Sequence, residues 1–242
     1  MLYKLASKKK KKRNRKIEDK IFSAGLGGIG ASLGHQLGTA LVALPMLAKE
    51  NKIDASDAEM WRAVGGKGEV PVVSYTDNPG GSFAFTQQNH KLNPQLIEHP
   101  MFTDAERKAV LSGKSFVRVG RNSGALKAHE MAHVAGPLSK SPIAQGAYGL
   151  SKTLSMVTPF VGAYMGADEG ENSLLQDAAL VAPSLPMLAE ETRANARAAM
   201  ALHRLGGKKA LIAGALPILG SELSYLGMSA LPVVANRISS SI

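Results

Sequence analysis

The chain has 242 residues, no cysteine and a formal net charge of +10. Its length allows one or two domains with a sizeable core, and the missing cysteines exclude a disulfide framework, a thiolate metal site and a thiol nucleophile. Aromatic residues make up only 5 % of the chain, too few for the stacked-ring platform of a single-strand nucleic-acid binder.

Residues 1–20 carry the basic run Lys8 to Lys16 and read as a solvated, disordered tail. Anionic lipid headgroups are its next best partner, and nucleic acid ranks third. Residues 21–48 hold no formal charge over 28 positions and contain Gly30-x-x-x-Gly34-x-x-x-Gly38, the small-residue spacing that lets membrane helices approach closely. Such a stretch can cross a hydrocarbon core of about 30 Å.

Residues 49–142 have a different texture. Val70 to Tyr75, Ser82 to Phe85 with Thr86, and Ser115 to Val119 alternate and are rich in β-branched or aromatic side chains, so three short strands are expected. Asp77-Asn-Pro-Gly-Gly81 marks a turn after the first strand. Thr103-Asp-Ala-Glu106 has the form of a capping box opening a short helix. Asn122 or Ser123 can cap the helix after the third strand, and Gly136-Pro137 should end it.

Beyond that region the composition turns apolar again. Residues 143–190 form an apolar helical hairpin (Ile143 to Ala167, then Leu174 to Ala189), residues 191–207 a strongly helix-forming segment, and residues 208–242 a last apolar segment. Small residues and prolines in long uncharged runs are commoner in membrane helices than in soluble ones. His35, Asp177 and Glu222 would then have to face protein or water. The competing expectation is a soluble α protein with Gly/Ala-rich core helices. A phrase of the form Leu-Pro-x-Leu-x-x-Glu recurs, ending at Glu50, Glu191 and Glu222.

The chemistry concentrates at His129-Glu130-Met131-Ala132-His133. On a helix, residues i and i+4 lie about 40° apart around the axis and about 6 Å along it. His129 and His133 can therefore point at one cation, with Glu130 beside it as a general base. A catalytic zinc needs a third protein ligand. His35, His90, His99 and His203 do not stand at a suitable spacing, and the best source is the helix-forming segment that carries Glu191. Asn195 shares a face with Glu191 and could accept a hydrogen bond from the back nitrogen of a ligand histidine.

These two motifs in this order resemble the gluzincin class, and within it the integral-membrane zinc peptidases of the HtpX-like, CAAX-prenyl-protease-like and YugP-like kind. In those families HExxH precedes membrane helices and the ligand glutamate follows in the form E-x-x-A-[D/N/S]-x-x-A. Glu191, Ala194, Asn195 and Ala198 match it; Glu190 matches it less well. The resemblance covers roughly residues 69 to 205. It implies an α+β fold, mainly α with a small sheet, in which a zincin-like catalytic core joins Gly-rich, membrane-embedded helices. It also implies a Zn2+ cofactor held by His129, His133 and Glu191, with peptide or protein substrates. Asn195 stands where many relatives carry Asp, so that position brings no negative charge.

The expected function is a membrane-associated, multi-pass zinc metalloendopeptidase with Glu130 as base. The alternative is a non-enzymatic membrane-inserting protein with a degenerate HExxH. Two apolar segments separate His133 from Glu191, so a membrane hairpin would return the ligand helix to the side it left. Sidedness is open: the basic tail favours a cytoplasmic N-terminus, and Arg193, Arg197 and Arg204 favour the cytoplasm for the catalytic side.

Overall fold

The computed structural model describes residues 53–77, 82–85, 100, 102–120, 123–137, 140–166 and 174–241. The basic tail, the 21–48 segment, the 77–81 turn beyond its first residue, and His35, His90 and His99 lie outside them. The described residues are mainly helical with one three-stranded mixed sheet, an α+β arrangement.

The elements in order are α1 (Asp57–Ala63), β1 (Val72–Thr76), β2 (Phe83–Phe85), α2 (Asp104–Leu111), β3 (Phe116–Gly120), α3 (Gly124–Val134), α4 (Pro142–Gly166), α5 (Leu174–Val181) and α6 (Leu185–Ser241). Helix α1 starts at a capping box in which Ser56 N donates to Glu59 at 2.8 Å and Glu59 N donates back to the Ser56 hydroxyl at 3.2 Å. Helix α2 starts with the same device at Thr103 and Glu106. Each box satisfies two N–H groups that a bare helix end leaves unpaired.

Strand β3 is central, parallel to β1 and antiparallel to β2. Its side chains alternate between two cores, as strand geometry requires. Val117 and Val119 face Met60, Trp61 and α3's Ala128, Met131 and Ala132. Phe116 faces Phe85 and α2's Ala109 and Val110, with Phe85 stacked on it at 5.1 Å. On this second face Glu106 is fully buried. It accepts hydrogen bonds from Ser74, from two nitrogens of Arg118, and from Thr103 N at 2.8 Å. Burial alone would raise its carboxyl, but these donors outweigh burial and hold it below its usual range.

The chain divides into two compact units. One contains 38–149 and 186–225, hence the sheet, α1 to α3 and the middle of α6. Within it α6 breaks at Gly207, whose φ of 64° and ψ of −160° suit glycine alone. A continuous helix would put Asn195 and Glu222 about 40 Å apart, yet they are hydrogen-bonded. Helix α6 therefore folds back on itself, its first limb ending at residue 206 and its second starting at 208. Ala194, Ala198, Ala201 and Leu202 of the first limb pack into the core under α3. Alanines here let the limb come close enough for its carboxylates to reach the histidines.

The other unit contains 150–185 and 226–242. In it Ser151 donates to Pro183 O at 2.6 Å and Ser155 shares a 2.9 Å hydrogen bond with Ser184. Gly162 packs so closely on Pro232 that a Cβ would lie 2.1 Å from its carbonyl oxygen. Asp177, one of the charges expected to need protein contact, pairs with Arg237. Glu222, another, meets Thr192 and Asn195 in the first unit.

Several membrane spans are expected from the sequence. Among the described residues one helical stretch, Leu174–Arg237, is long and apolar enough to cross a membrane by length and composition. Helix α4 has the length but is diluted by Gln145, Lys152 and its glycines and hydroxyl residues. The multi-pass arrangement is thus not supported.

Candidate metal centre

Three residues separate the end of β3 from the start of α3. Ser123 caps that helix by accepting from Leu126 N at 3.4 Å, one of the two caps expected. The helix ends at Val134, just before Gly136. Every residue of α3 is buried, so His129, Glu130 and His133 are held on a rigid, dry support.

The rings of His129 and His133 stand edge to face, 4.6 Å apart at 88°. Their Nε2 atoms are 3.1 Å apart. Glu191 Oε2 lies 3.3 Å from the first and 3.4 Å from the second. A cation bound tetrahedrally at roughly 2.0–2.1 Å keeps its ligand atoms about 3.3 Å from one another, so this triangle has the size of one face of a zinc coordination shell. Glu191 is fully buried, and Oε2 has no aligned hydrogen-bond donor. Two nitrogens and a carboxylate oxygen converging on one point suit zinc or another first-row transition-metal ion and suit Ca2+ or Mg2+ poorly.

The other atoms of the three residues set their orientation. His133 Nδ1 meets Glu190 Oε1 at 3.0 Å. Arg193 fixes Glu190 in turn, donating from Nε to Oε2 at 2.8 Å and from Nη2 to Oε1. Arg193 Nη2 also donates to Ala132 O at 2.8 Å, and the guanidinium lies where a Cβ on Gly136 would be. With Arg197 Nη1 on Ala135 O at 3.3 Å, two arginines satisfy carbonyls at the C-terminal end of α3. A cation is favoured there by the helix dipole.

Burial disfavours a charged His133, but the hydrogen bond to Glu190 and the nearby negative charge of Glu191 overcome it and push the ring up to about 10. The pocket is therefore built for positive charge, which a proton on His133 or a metal ion can supply.

From the sequence, Asn195 is the expected partner of a back nitrogen. At His133 that role belongs to Glu190, because adjacent residues on the limb diverge by about 100° and Glu190 points at the outer edge of the ring. Asn195 instead donates from Nδ2 to Glu222, and its Oδ1 is buried with no hydrogen-bond partner among the described residues. His129 Nδ1 is in the same condition. His203, set aside from the sequence, is exposed.

Two tyrosines that periodicity does not single out complete the pocket. Tyr148 donates to Glu191 Oε1 at 2.7 Å, and Tyr225 is near enough to Glu191 for that carboxylate to act on its phenol electrostatically. Glu130 is buried and close enough to His133, Tyr148 and Tyr225 to act on all three electrostatically. The available signal is that both are isolated phenols in otherwise apolar helices, and a buried Tyr hydroxyl usually has a polar partner. No family model, curated protein or solved structure matches the chain, so the functional reading rests on its own residues.

Proposed function

We propose that this protein is a zinc-dependent, membrane-associated peptidase of the gluzincin type, with His129, His133 and Glu191 as metal ligands and Glu130 as general base. The observation that carries the reading is the 3.1–3.4 Å triangle of Nε2, Nε2 and Oε2 atoms, with a buried glutamate and two phenols around it. Zinc in such a set supplies Lewis acidity, enough to bring the pKa of an adjacent water to about 7. Glu130 would hold and take the proton of a water beside the site as that water's oxygen attacks the scissile carbonyl carbon. It then delivers the proton to the nitrogen as the C–N bond breaks. Tyr148 and Tyr225 are the O–H donors available to the carbonyl oxygen as negative charge develops on it. Glu190 and Arg193 keep the His133 Nε2 lone pair aimed inward.

Membrane association is supported by the second limb of α6. Ile212, Leu216, Leu219, Leu223 and Leu226 recur at spacings of three and four residues and are all exposed, forming one apolar stripe. Only 25 % of the most apolar window of Leu174–Arg237 is buried, whereas a core helix of a soluble protein would be mostly covered. Lipid is the solvent that suits such a stripe.

The stripe would serve a non-enzymatic membrane protein equally well, and metal content separates the two. The detergent-purified chain should carry about one zinc, and His129→Ala should lose it. Glu130→Gln should keep the metal and lose proteolysis of an unfolded protein substrate. Full proteolysis in that variant, or a parent chain that takes up no zinc, removes the proposal.

A further inference from the structure

We propose that Glu222 is a positioning residue that supplies, through the amide of Asn195, the negative charge that Asn195 itself lacks, and so tunes His129 as a metal ligand. The inference rests on the metal-site reading above and adds to it a residue from the returning limb of α6.

Glu222 sits inside an apolar segment, where an ionisable side chain needs a reason to be. It is held on two sides: Thr192 Oγ1 donates to Oε1 at 2.6 Å, and Asn195 Nδ2 donates to Oε2. A carboxylate only accepts, so the Asn195 amide must turn its NH2 toward Glu222 and its carbonyl oxygen away. That oxygen, Oδ1, is buried and has no hydrogen-bond partner among the described residues. Asn195 stands one helical turn beyond Glu191, whose Oε2 is 3.3 Å from His129 Nε2.

On the histidine side one back nitrogen is already taken, His133 Nδ1 by Glu190. The other, His129 Nδ1, is buried and lacks a partner. A ligand imidazole that presents Nε2 to a metal carries its proton on Nδ1 and needs an acceptor for it. Asn195 Oδ1 is the complementary orphan. A His129 ring turned so that Nδ1–H meets Asn195 Oδ1 would complete the chain Glu222 carboxylate, Asn195 amide, His129 Nδ1–H. A carboxylate bonded to the NH2 end polarises the amide and makes its carbonyl a stronger acceptor. The two histidines would then have parallel supports: Glu190 directly on His133, and Glu222 one amide removed on His129. This places two copies of the Leu-Pro-x-Leu-x-x-Glu phrase in one site, since their closing glutamates are Glu191 and Glu222.

The test is zinc affinity by competition with a chromophoric chelator, on the full chain in detergent, with the thermal stability of the metal-free protein measured beside it. E222Q should weaken zinc binding about 10–100-fold, the usual effect of removing an outer partner of a ligand histidine. The charge-exchanged double variant N195D/E222Q should recover most of that loss, because it places the carboxylate directly behind His129. A purely structural Glu222 would not be rescued in that way. Should E222Q unfold, E222D keeps the charge, withdraws it by one methylene and should show the same direction of change. Unchanged zinc affinity in the folded Glu222 variants, or no recovery in the double variant, overturns the relay while leaving the metal site intact. A parent chain that binds no zinc overturns both.

Discussion

Glu106 and Glu191 are both fully buried carboxylates, and their surroundings differ in one respect. Glu106 is enclosed by fixed donors: Ser74, two nitrogens of Arg118 and Thr103 N. It joins α2 to the sheet, and its charge is matched within the protein. Glu191 has donors on one oxygen, from Tyr148 at 2.7 Å, and two imidazole nitrogens converging without aligned hydrogen bonds on the other. An oxygen that two imidazole nitrogens approach without an aligned hydrogen bond has the geometry that a shared cation would complete.

The contrast breaks most sharply at the chemistry. Glu130→Gln should reduce turnover by about 10²–10⁴-fold, the range for loss of a general base, with zinc content unchanged by elemental analysis. Glu106→Gln should leave no mark on zinc content per folded chain. It should cost about 3–5 kcal/mol of stability in denaturant unfolding, the usual result of stranding a buried partner such as Arg118. If the two effects were exchanged, the assignment of roles would be wrong.

The same two regions should titrate in opposite directions. Glu106 is held below its ordinary 4.5, so its contribution is present above pH 4.5 and is lost as pH falls through the folded value. His133 in the metal-free protein is raised from 6.5 to about 10. Its contribution is present below pH 6.5 and is lost as pH rises through about 10. Thermal melts across pH should show both limbs without metal. Zinc should abolish the alkaline one, because it binds the neutral imidazole. An alkaline limb that persists with zinc bound would separate His133 from the metal.

Smaller effects probe how the limb reaches the site. Ala198→Val adds two methyl groups where α6 meets α3's side of the core and should cost about 1–3 kcal/mol by overpacking, lowering zinc affinity as well. Ser56→Ala, at the cap of α1, should cost about 1 kcal/mol and leave zinc affinity unchanged.

What was legible in the sequence was local. The capping box at Thr103 and Glu106, the end of α3 at Gly136 and the shared face of His129 and His133 follow from spacings within one or two helical turns. The three strands follow from alternation and lie within two residues of their expected ends. The parallel pairing of β1 with β3 across an intervening strand was not legible, because no local pattern encodes a partner. Glu191 was readable through its fit to the E-x-x-A-[D/N/S]-x-x-A form of the families the chain resembles, but the work of its neighbour Glu190 was not, because it depends on how the limb crosses α3. Tyr225 and Glu222 come from a limb whose approach depends on the reversal at Gly207, a glycine that in sequence is one of 25, and Tyr148 comes from α4, whose packing on the first limb no local pattern encodes.

The most direct test is zinc-edge X-ray absorption on the zinc-loaded protein, parent beside His129→Ala. Two imidazole nitrogens and carboxylate oxygen at roughly 2.0–2.1 Å, with one imidazole lost in the variant, is the predicted first shell. A shell without paired imidazoles, or one indifferent to His129, would contradict the account.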